Sequence, residues 1–411
     1  PPQSPWISGC RFYATNALSL VDQPGEYFVS KATGDLYFIP PAPAANHDHG
    51  GDTSTTTIAD AVVSTLANVI SATGAAHTHF SGIVVSTSQS DALVLDDVPG
   101  ARVDNCTVSN AGGACLSLSG ATNATVSDAV VYGCGASGIA LEGGDLKTLA
   151  PSASSVLGCH VSDFARKRRT YQPGIAFHGV GMRFANNTVR DAPHAGMTGG
   201  GNDLLFEHNV INHTVYECID AGAFYVGRSW SQRGNVFRNN VIDTVRPTEK
   251  LAQASCSQNG FYLDDEMSGW EFSGNTVINA TTGVLLGGGR RNNISGNQFT
   301  NCDGDVHFDD RGLNWQSKSC AANCSASMGT SCFHTSLEAL NWQQPPYSVR
   351  YPEIVDIYQQ RPCTPVFNVI ADNTFCHGKS KAGGAFIDRD AKTVAGWGSE
   401  MHGNREKAAG C

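Results

Sequence analysis

The sequence predicts an all-β solenoid, a parallel β-helix, on three observations. Short strand-like segments recur at a nearly fixed interval. Each alternates apolar and polar side chains. The links between them are marked by Asn, Asp and Gly. The clearest segments are 92–96, 115–119, 138–142, 174–178, 196–200, 222–226, 260–264, 283–287 and 305–309. Most follow one another at 22 or 23 residues, with loop insertions lengthening the other intervals. Helical repeats need a 3.6-residue period, which is missing, and propeller blades are longer and antiparallel. A coil this short fits strands that stack on the next coil about 4.8 Å away.

Alternation then assigns faces. In 260–264, Phe261 and Leu263 point inward, and Tyr262 and Asp264 outward. Aligning the segments on their first residues gives two outward columns. One runs through Ala140, Ala176, Thr198, Phe224, Tyr262, Leu285 and His307. The other runs through Asp96, Ser119, Glu142, His178, Gly200, Val226, Asp264, Gly287 and Asp309. In this register Tyr225 faces inward. Asn at 186–187, 239–240 and 297 marks tight turns, because Asn tolerates left-handed backbone angles and can bond its own main chain.

Outside the regular coils, residues 1–60 read as a hairpin over 26–40, turning at Gly34, followed by an exposed loop. His47-Asp48-His49 in that loop lacks a third nearby metal ligand. The β-helix proper is expected over 61–315, a disulfide-rich insertion over 316–362, and a last coil with a tail over 363–411.

Composition narrows the function. Of 411 residues, 41% are hydrophobic and 16% charged, so the chain is not disordered. A net charge of -10 without a basic stripe speaks against nucleic acid. No run of 18 apolar residues is present, so no membrane span is expected. The fourteen cysteines form no paired C-x-x-C zinc motif and read as disulfides. Cys218 and Cys256 lie four residues before Gly222 and Gly260, which predicts a bridge between adjacent coils. N-x-S/T sequons at Asn105, Asn123, Asn186, Asn212, Asn279, Asn293 and Asn323 point to a secreted glycoprotein. The opening Pro1-Pro2-Gln3 reads as a processed or truncated start rather than a signal peptide.

Several stretches resemble glycoside hydrolase family 141 and its right-handed β-helix relatives of the pectin-lyase-like superfamily. They include Gly34-Asp-Leu-Tyr-Phe, Gly143-Gly-Asp-Leu-Lys, Arg169-Thr-Tyr-Gln-Pro, Asp191-Ala-Pro-His and Asp220-Ala-Gly-Ala-Phe-Tyr-Val-Gly-Arg-Ser-Trp. Further on are Tyr262-Leu-Asp-Asp-Glu-Met, Gly287-Gly-Gly-Arg, Asp310-Arg-Gly-Leu-Asn-Trp and Pro345-Pro-Tyr-Ser-Val-Arg-Tyr-Pro. The resemblance implies a right-handed helix and an extracellular enzyme acting on plant-type polysaccharides. Its acid and base would match Asp220 and one of Asp264 and Asp265. It also implies further coils ahead of the hairpin, so the first coil is expected to present an open apolar end, covered by another chain or by a preceding portion of this one.

The chemistry can also be argued from the residues. A glycosidase needs a carboxylic acid and a carboxylate on either side of the scissile bond. Asp220, Asp264, Asp265, Asp309 and Asp310 fall on one edge of neighbouring coils, within reach of such a pairing. Tyr225, Trp230, Tyr262, Trp270 and Trp315 lie near the same edge as rings for sugars to stack on, with Trp230 expected at the surface and Tyr225 inward, and Tyr171 joins the expected substrate-binding residues. Arg228, Arg290 and Arg311 would hold a substrate carboxylate or tune the aspartates. His194, His307 and Asp309 complete the expected substrate-binding set. No cofactor is required, and calcium is the one ion left open. A polysaccharide lyase or uronate epimerase, with Arg228 and Arg311 neutralising a carboxylate and His194 or Tyr262 as base, is the alternative chemistry. A third reading is an inactive matrix glycoprotein, because Ile219 stands where relatives often carry an acidic residue.

Overall fold

The structure is a computed structural model and describes residues 14–40, 62–217, 220–247, 258–321, 324, 332–376 and 387–407. The chain divides into two compact units, Pro1–Val63 and Ser64–Cys411.

In the first unit, strands Tyr27–Val29 and Leu36–Phe38 pair antiparallel. The turn between them uses Gly34 at φ 80°, a left-handed angle that glycine adopts without a Cβ clash. Asn16 extends the pairing from outside. Its amide donates to the Val29 carbonyl at 3.1 Å and accepts from the Val29 amide at 2.9 Å.

The second unit is a parallel β-helix of three sheets. Each coil contributes one strand to each sheet in turn, and every strand pairs in parallel with its counterpart one coil away. Sheet I holds ten strands, from Ile70–Thr73 to Gly304–Asp309. Sheets II and III hold eleven each, beginning at His79–Ser81 and Val84–Ser88 and ending at Glu400–His402 and Arg405–Lys407. No helix of the described residues is long and apolar enough to cross a membrane.

The interior is built from inward columns. Early coils carry Val, Leu and Ala, and the middle coils carry aromatics. Phe206 and Phe224 meet edge to face at 4.9 Å, and Phe224 stacks on Phe261 at 5.2 Å. Trp270 belongs to this column, 5.3 Å from Phe224, rather than to a sugar-facing edge. Its residue type suited a sugar platform, but its place in strand Trp270–Ser273 of sheet II turns it into the core.

The turn between sheets II and III is held by stacked asparagines. Asn187, Asn209, Asn240, Asn275 and Asn297 are buried, and their amides bond down the column at 2.9–3.1 Å. Each carboxamide oxygen also accepts a backbone N–H from the coil before, so the turn's buried polar groups satisfy one another. Cys106 and Cys159 fill the same turn in earlier coils as buried thiols, small apolar substitutes for Asn. Burial pushes the Cys159 thiol up to about 12.

The described disulfides are Cys115–Cys134, Cys320–Cys363 and Cys324–Cys332. The expected Cys218–Cys256 pair lies outside the described residues. In the first coil, Val69, Ile70, Ala72, Phe80 and Ile83 are only partly buried, unlike their counterparts further along.

Between strands Gly304–Asp309 and Val369–Ala371 the chain leaves the solenoid and forms short helices, Ser317–Cys320, Phe333–Glu338 and Tyr347–Arg350. These helices build a second apolar cluster that takes in Trp230. Trp230 stacks on Phe333 at 5.4 Å and is buried, which corrects its expected surface position. The insertion is anchored to the turns that follow sheet I. Tyr347 donates to the Leu146 carbonyl at 2.7 Å, and Arg350 binds Asp203 at 3.1 Å.

Candidate functional site

The outward face of sheet I carries the site, in a register one residue away from the expected one at a single coil. Phe224 pairs with Phe261, Tyr225 with Tyr262, and Gly227 with Asp264. The outward columns therefore hold Tyr225 and Gly227, not Phe224 and Val226, both of which are inward and buried. The misplacement came from matching Gly222 to Gly260. The shared Phe-Tyr pair was the better anchor, and it identifies Tyr225, which sequence reasoning had turned inward.

Gly227 and Gly287, on the coils either side of Asp264, leave room for the site. A Cβ on Gly287 would lie 2.7 Å from the Arg311 guanidinium carbon, and one on Gly227 would lie 3.2 Å from the Asp264 Cβ. In the space so created, Arg311 binds three carboxylates. Its Nη1 donates to Asp264 at 2.7 Å and to Asp265 at 3.1 Å. Its Nε and Nη2 form a fork on Asp309 at 3.0 and 2.7 Å. Asp265 also accepts from Arg228 Nε at 2.7 Å and from the Gln316 amide. Gln316 belongs to the insertion, and nothing in the sequence pattern had marked it.

The carboxylates differ in environment. Burial raises the Asp264 pKa, and the neighbouring Asp265 adds to the effect. Hydrogen bonds from Tyr225 and Tyr262 and the charge of Arg311 only partly oppose it. Burial acts in the same direction on Asp309, but His307 and Arg311 overcome it and hold that carboxyl down at about 2. His307 lies between Asp309 and Asp388 and is raised to about 9.

Two tyrosines join the acids. The Tyr225 hydroxyl donates to Asp264 at 2.8 Å, and its ring stacks on Tyr262 at 5.0 Å. The Tyr262 hydroxyl donates to Asp220 at 3.0 Å. Asp220 itself is exposed. Tyr171 lies beside this group, its ring 6.4 Å from Tyr225 and 4.7 Å from His194. His194 is buried, its Nδ1 has no hydrogen-bond partner, and burial lowers its pKa to about 4. Tyr171, Asp220, Arg228, Asp265 and Glu266 all have positive φ, between 41° and 66°. Left-handed residues recur at turns throughout the solenoid, from Asn105 and Asp128 to Asn301 and Asp372, and these five belong to the turns that carry the site.

Two expected substrate contacts lie elsewhere. Arg290 is fully buried and donates to the carbonyls of Gln360, Arg361, Pro362 and Thr364, which fastens the end of the insertion. Trp230 lies beneath the same insertion, within 5.7 Å of Arg290. Asp310 accepts from Asn314 at 2.8 Å in the turn after sheet I. Sequence reasoning missed Glu266, which is fully buried next to the acidic pair. Its carboxyl packs against Gly288, and burial raises its pKa well above the ordinary value despite the charge of Arg290.

Among the described residues, no three His, Cys, Asp or Glu side chains are arranged to hold a metal ion. Of the sequon residues, Asn105, Asn123 and Asn186 occupy exposed left-handed turns. Asn212 and Asn279 are partly buried and bond to Asp243, and Asn293 is partly buried. Asn323 lies outside the described residues.

A family model described as "right handed beta helix region" matches residues 68–299. No curated protein matches the chain. Among solved structures, the crystal structure of Dettilon tailspike protein (gp208) is 12% identical, with a TM-score of 0.35. That alignment covers 82% of this chain and 63% of the tailspike chain.

Proposed function

The chain belongs to the right-handed β-helix family, and from that premise we propose that it is a secreted carbohydrate-active protein that hydrolyses a glycosidic bond in a plant-type polysaccharide. Asp264 is the general acid and Asp220 the base. The observation that carries the reading is the contrast between two neighbouring carboxyls. Asp264 is buried and its pKa is raised by that burial, the direction a proton donor needs. Asp220 is exposed and oriented by the Tyr262 hydroxyl. In the reaction, Asp264 donates its proton to the glycosidic oxygen as the C–O bond breaks. Asp220 faces the anomeric carbon and removes a proton from the attacking water. Asp265 positions Arg228 and Arg311 rather than transferring a proton, because three donors already occupy its oxygens.

A lyase needs a free cation for the substrate carboxylate. Arg311 is committed to three aspartates, which favours hydrolysis, and Arg228, bound through Nε to Asp265 and more than half exposed, is the guanidinium a lyase would have to use.

The test is sugar release from a panel of plant and algal polysaccharides by the wild-type chain, Asp264→Asn and Asp220→Asn. New reducing ends without the ultraviolet absorbance of unsaturated uronate, lost in both variants, is the expected result. Unsaturated product would convert the reading to a lyase. Binding without any product would convert it to a non-catalytic glycoprotein.

A further inference from the structure

Trp315 is 70% exposed and is the one tryptophan among the large exposed hydrophobic residues of the described chain. It stands six residues beyond the end of strand 304–309 and four beyond Arg311, whose guanidinium carbon lies 5.3 Å from its ring centroid. The arginine that gathers Asp264, Asp265 and Asp309 therefore also fixes the orientation of an open indole face. Tyr171 is a second aromatic of this kind, 58% exposed and braced by His194. An unbroken line of contacts joins the two rings through the candidate acid: Tyr171 to Tyr225, Tyr225 to Asp264, Asp264 to Arg311, Arg311 to Trp315.

Charge restricts what such rings can hold. Arg311 presents Nε, Nη1 and Nη2 to carboxylates already in the protein. Along sheet I, the outward positions toward the first coil add Glu142 and Asp96 in register with Asp264, and the partnered columns contain no Lys or Arg. A uronate chain would set its carboxylates against these acids, with the partly exposed Arg228, already bound to Asp265 through Nε, as the nearby cation. The C–H face of a neutral pyranose has no such conflict and stacks on an aromatic ring, while its hydroxyls remain free to bond the surrounding acids.

Resting on the hydrolase reading, we infer that Trp315 and Tyr171 are two sugar-stacking subsites at the ends of the contact line through Asp264, and that they select a neutral pyranose chain over a uronate. The test is calorimetric binding of cello-, xylo- and fucosylated xyloglucan oligosaccharides, with oligogalacturonate as the acidic comparison, to the full chain and to Trp315→Ala, Trp315→Phe and Tyr171→Ala. The neutral probe that binds best is expected to weaken about tenfold in each alanine variant, the loss of one aromatic contact, and by less than about twofold in Trp315→Phe. Oligogalacturonate is expected to bind more weakly than any of them. Unchanged melting temperatures confirm that the exposed rings are not structural. The inference falls if Trp315→Ala and Tyr171→Ala bind like wild type, if no neutral probe binds, or if oligogalacturonate binds best. If the binding pattern holds but no glycan is cleaved, the hydrolase reading fails and the subsites stand.

Discussion

Replacing Arg311 with Met should destabilise the protein by an amount that depends on pH in a particular way. Arg311 is almost buried and neutralises Asp264, Asp265 and Asp309, each at a hydrogen-bonding distance of 2.7–3.1 Å. Methionine fills a similar volume and supplies no charge. Removing one partner of a buried ion cluster leaves uncompensated charge and costs about 3–5 kcal/mol. The side chains of Asp264 and Asp265 are almost inaccessible, so solvent screening softens that figure little. At neutral pH the loss falls mainly on Asp309 and Asp264, because Asp265 keeps Arg228.

The pH dependence follows from Asp309. Its folded pKa of about 2 lies below the unfolded value, so the wild type gains stability from it above about pH 4 and loses that gain as pH falls through 2. Without Arg311 the folded pKa rises and the gain disappears. Urea denaturation of both proteins from pH 3 to pH 8 measures the difference. The gap should reach its full size near neutrality and narrow toward pH 3, where the carboxylates left without Arg311 take up protons in the variant while wild-type Asp309 stays ionised. A gap under about 1 kcal/mol at pH 7, or one that does not change with pH, would refute the idea that Arg311 holds buried ionised carboxylates together. The same variant should move the alkaline limb of any hydrolytic activity upward, because Arg311 is one of the groups that hold the Asp264 pKa down.

Three further perturbations test other parts of the structure. His307 is raised to about 9, so its contribution is complete below its unfolded value of about 6.5 and disappears as pH rises through 9. His307→Gln should flatten the fall in melting temperature over that window, modestly because the side chain is more than a third exposed. Replacing Cys320 and Cys363 together by Ala opens a loop of sequence separation 43 and should lower stability by about 4 kcal/mol on the chain-entropy account, read as a shift in the denaturation midpoint. Asn240→Leu removes an amide that bonds Phe206, Arg238 and Asn275 and an oxygen that serves Asn209. The loss should be about 2–4 kcal/mol, larger than for the same change at Asn404 in the last coil, and measurable by urea denaturation.

The fold was legible because one physical rule repeats. A strand buried on one face alternates, a turn needs Asn or Gly, and a coil must match its neighbour, so the pattern is written many times over. The acidic edge was legible for the same reason: Asp264 and Asp309 share an outward column. Contacts made across long sequence distances were not. Trp230 and Arg290 looked like surface residues because the sequence does not reveal that residues 316–362 fold back over the turns following sheet I and bury both. Arg311 was recognised as an interacting charge, but its threefold role depends on Gly227 and Gly287 lying on the coils either side of Asp264, which only the exact register reveals.

The run Asp264-Asp265-Glu266 shows why such a site resists reading from sequence. Three successive acids look like a solvated turn, and like-charged neighbours should repel one another. Here the backbone turns left-handed at Asp265 and Glu266, with φ of 41° and 62°, so the three side chains diverge. Asp264 stays on the outward face with Tyr225 and Arg311. Asp265 swings toward Arg228 and Gln316, and Glu266 enters the interior against Gly288. Each acid thus meets a different balance of burial and partners, and the raised pKa of Asp264 comes first from its burial and then from the neighbouring Asp265 carboxylate. A turn that merely exposed all three would give three ordinary aspartate-like groups and no proton donor. The left-handed turn therefore gives Asp264, the proposed proton donor, surroundings that its two neighbours do not share.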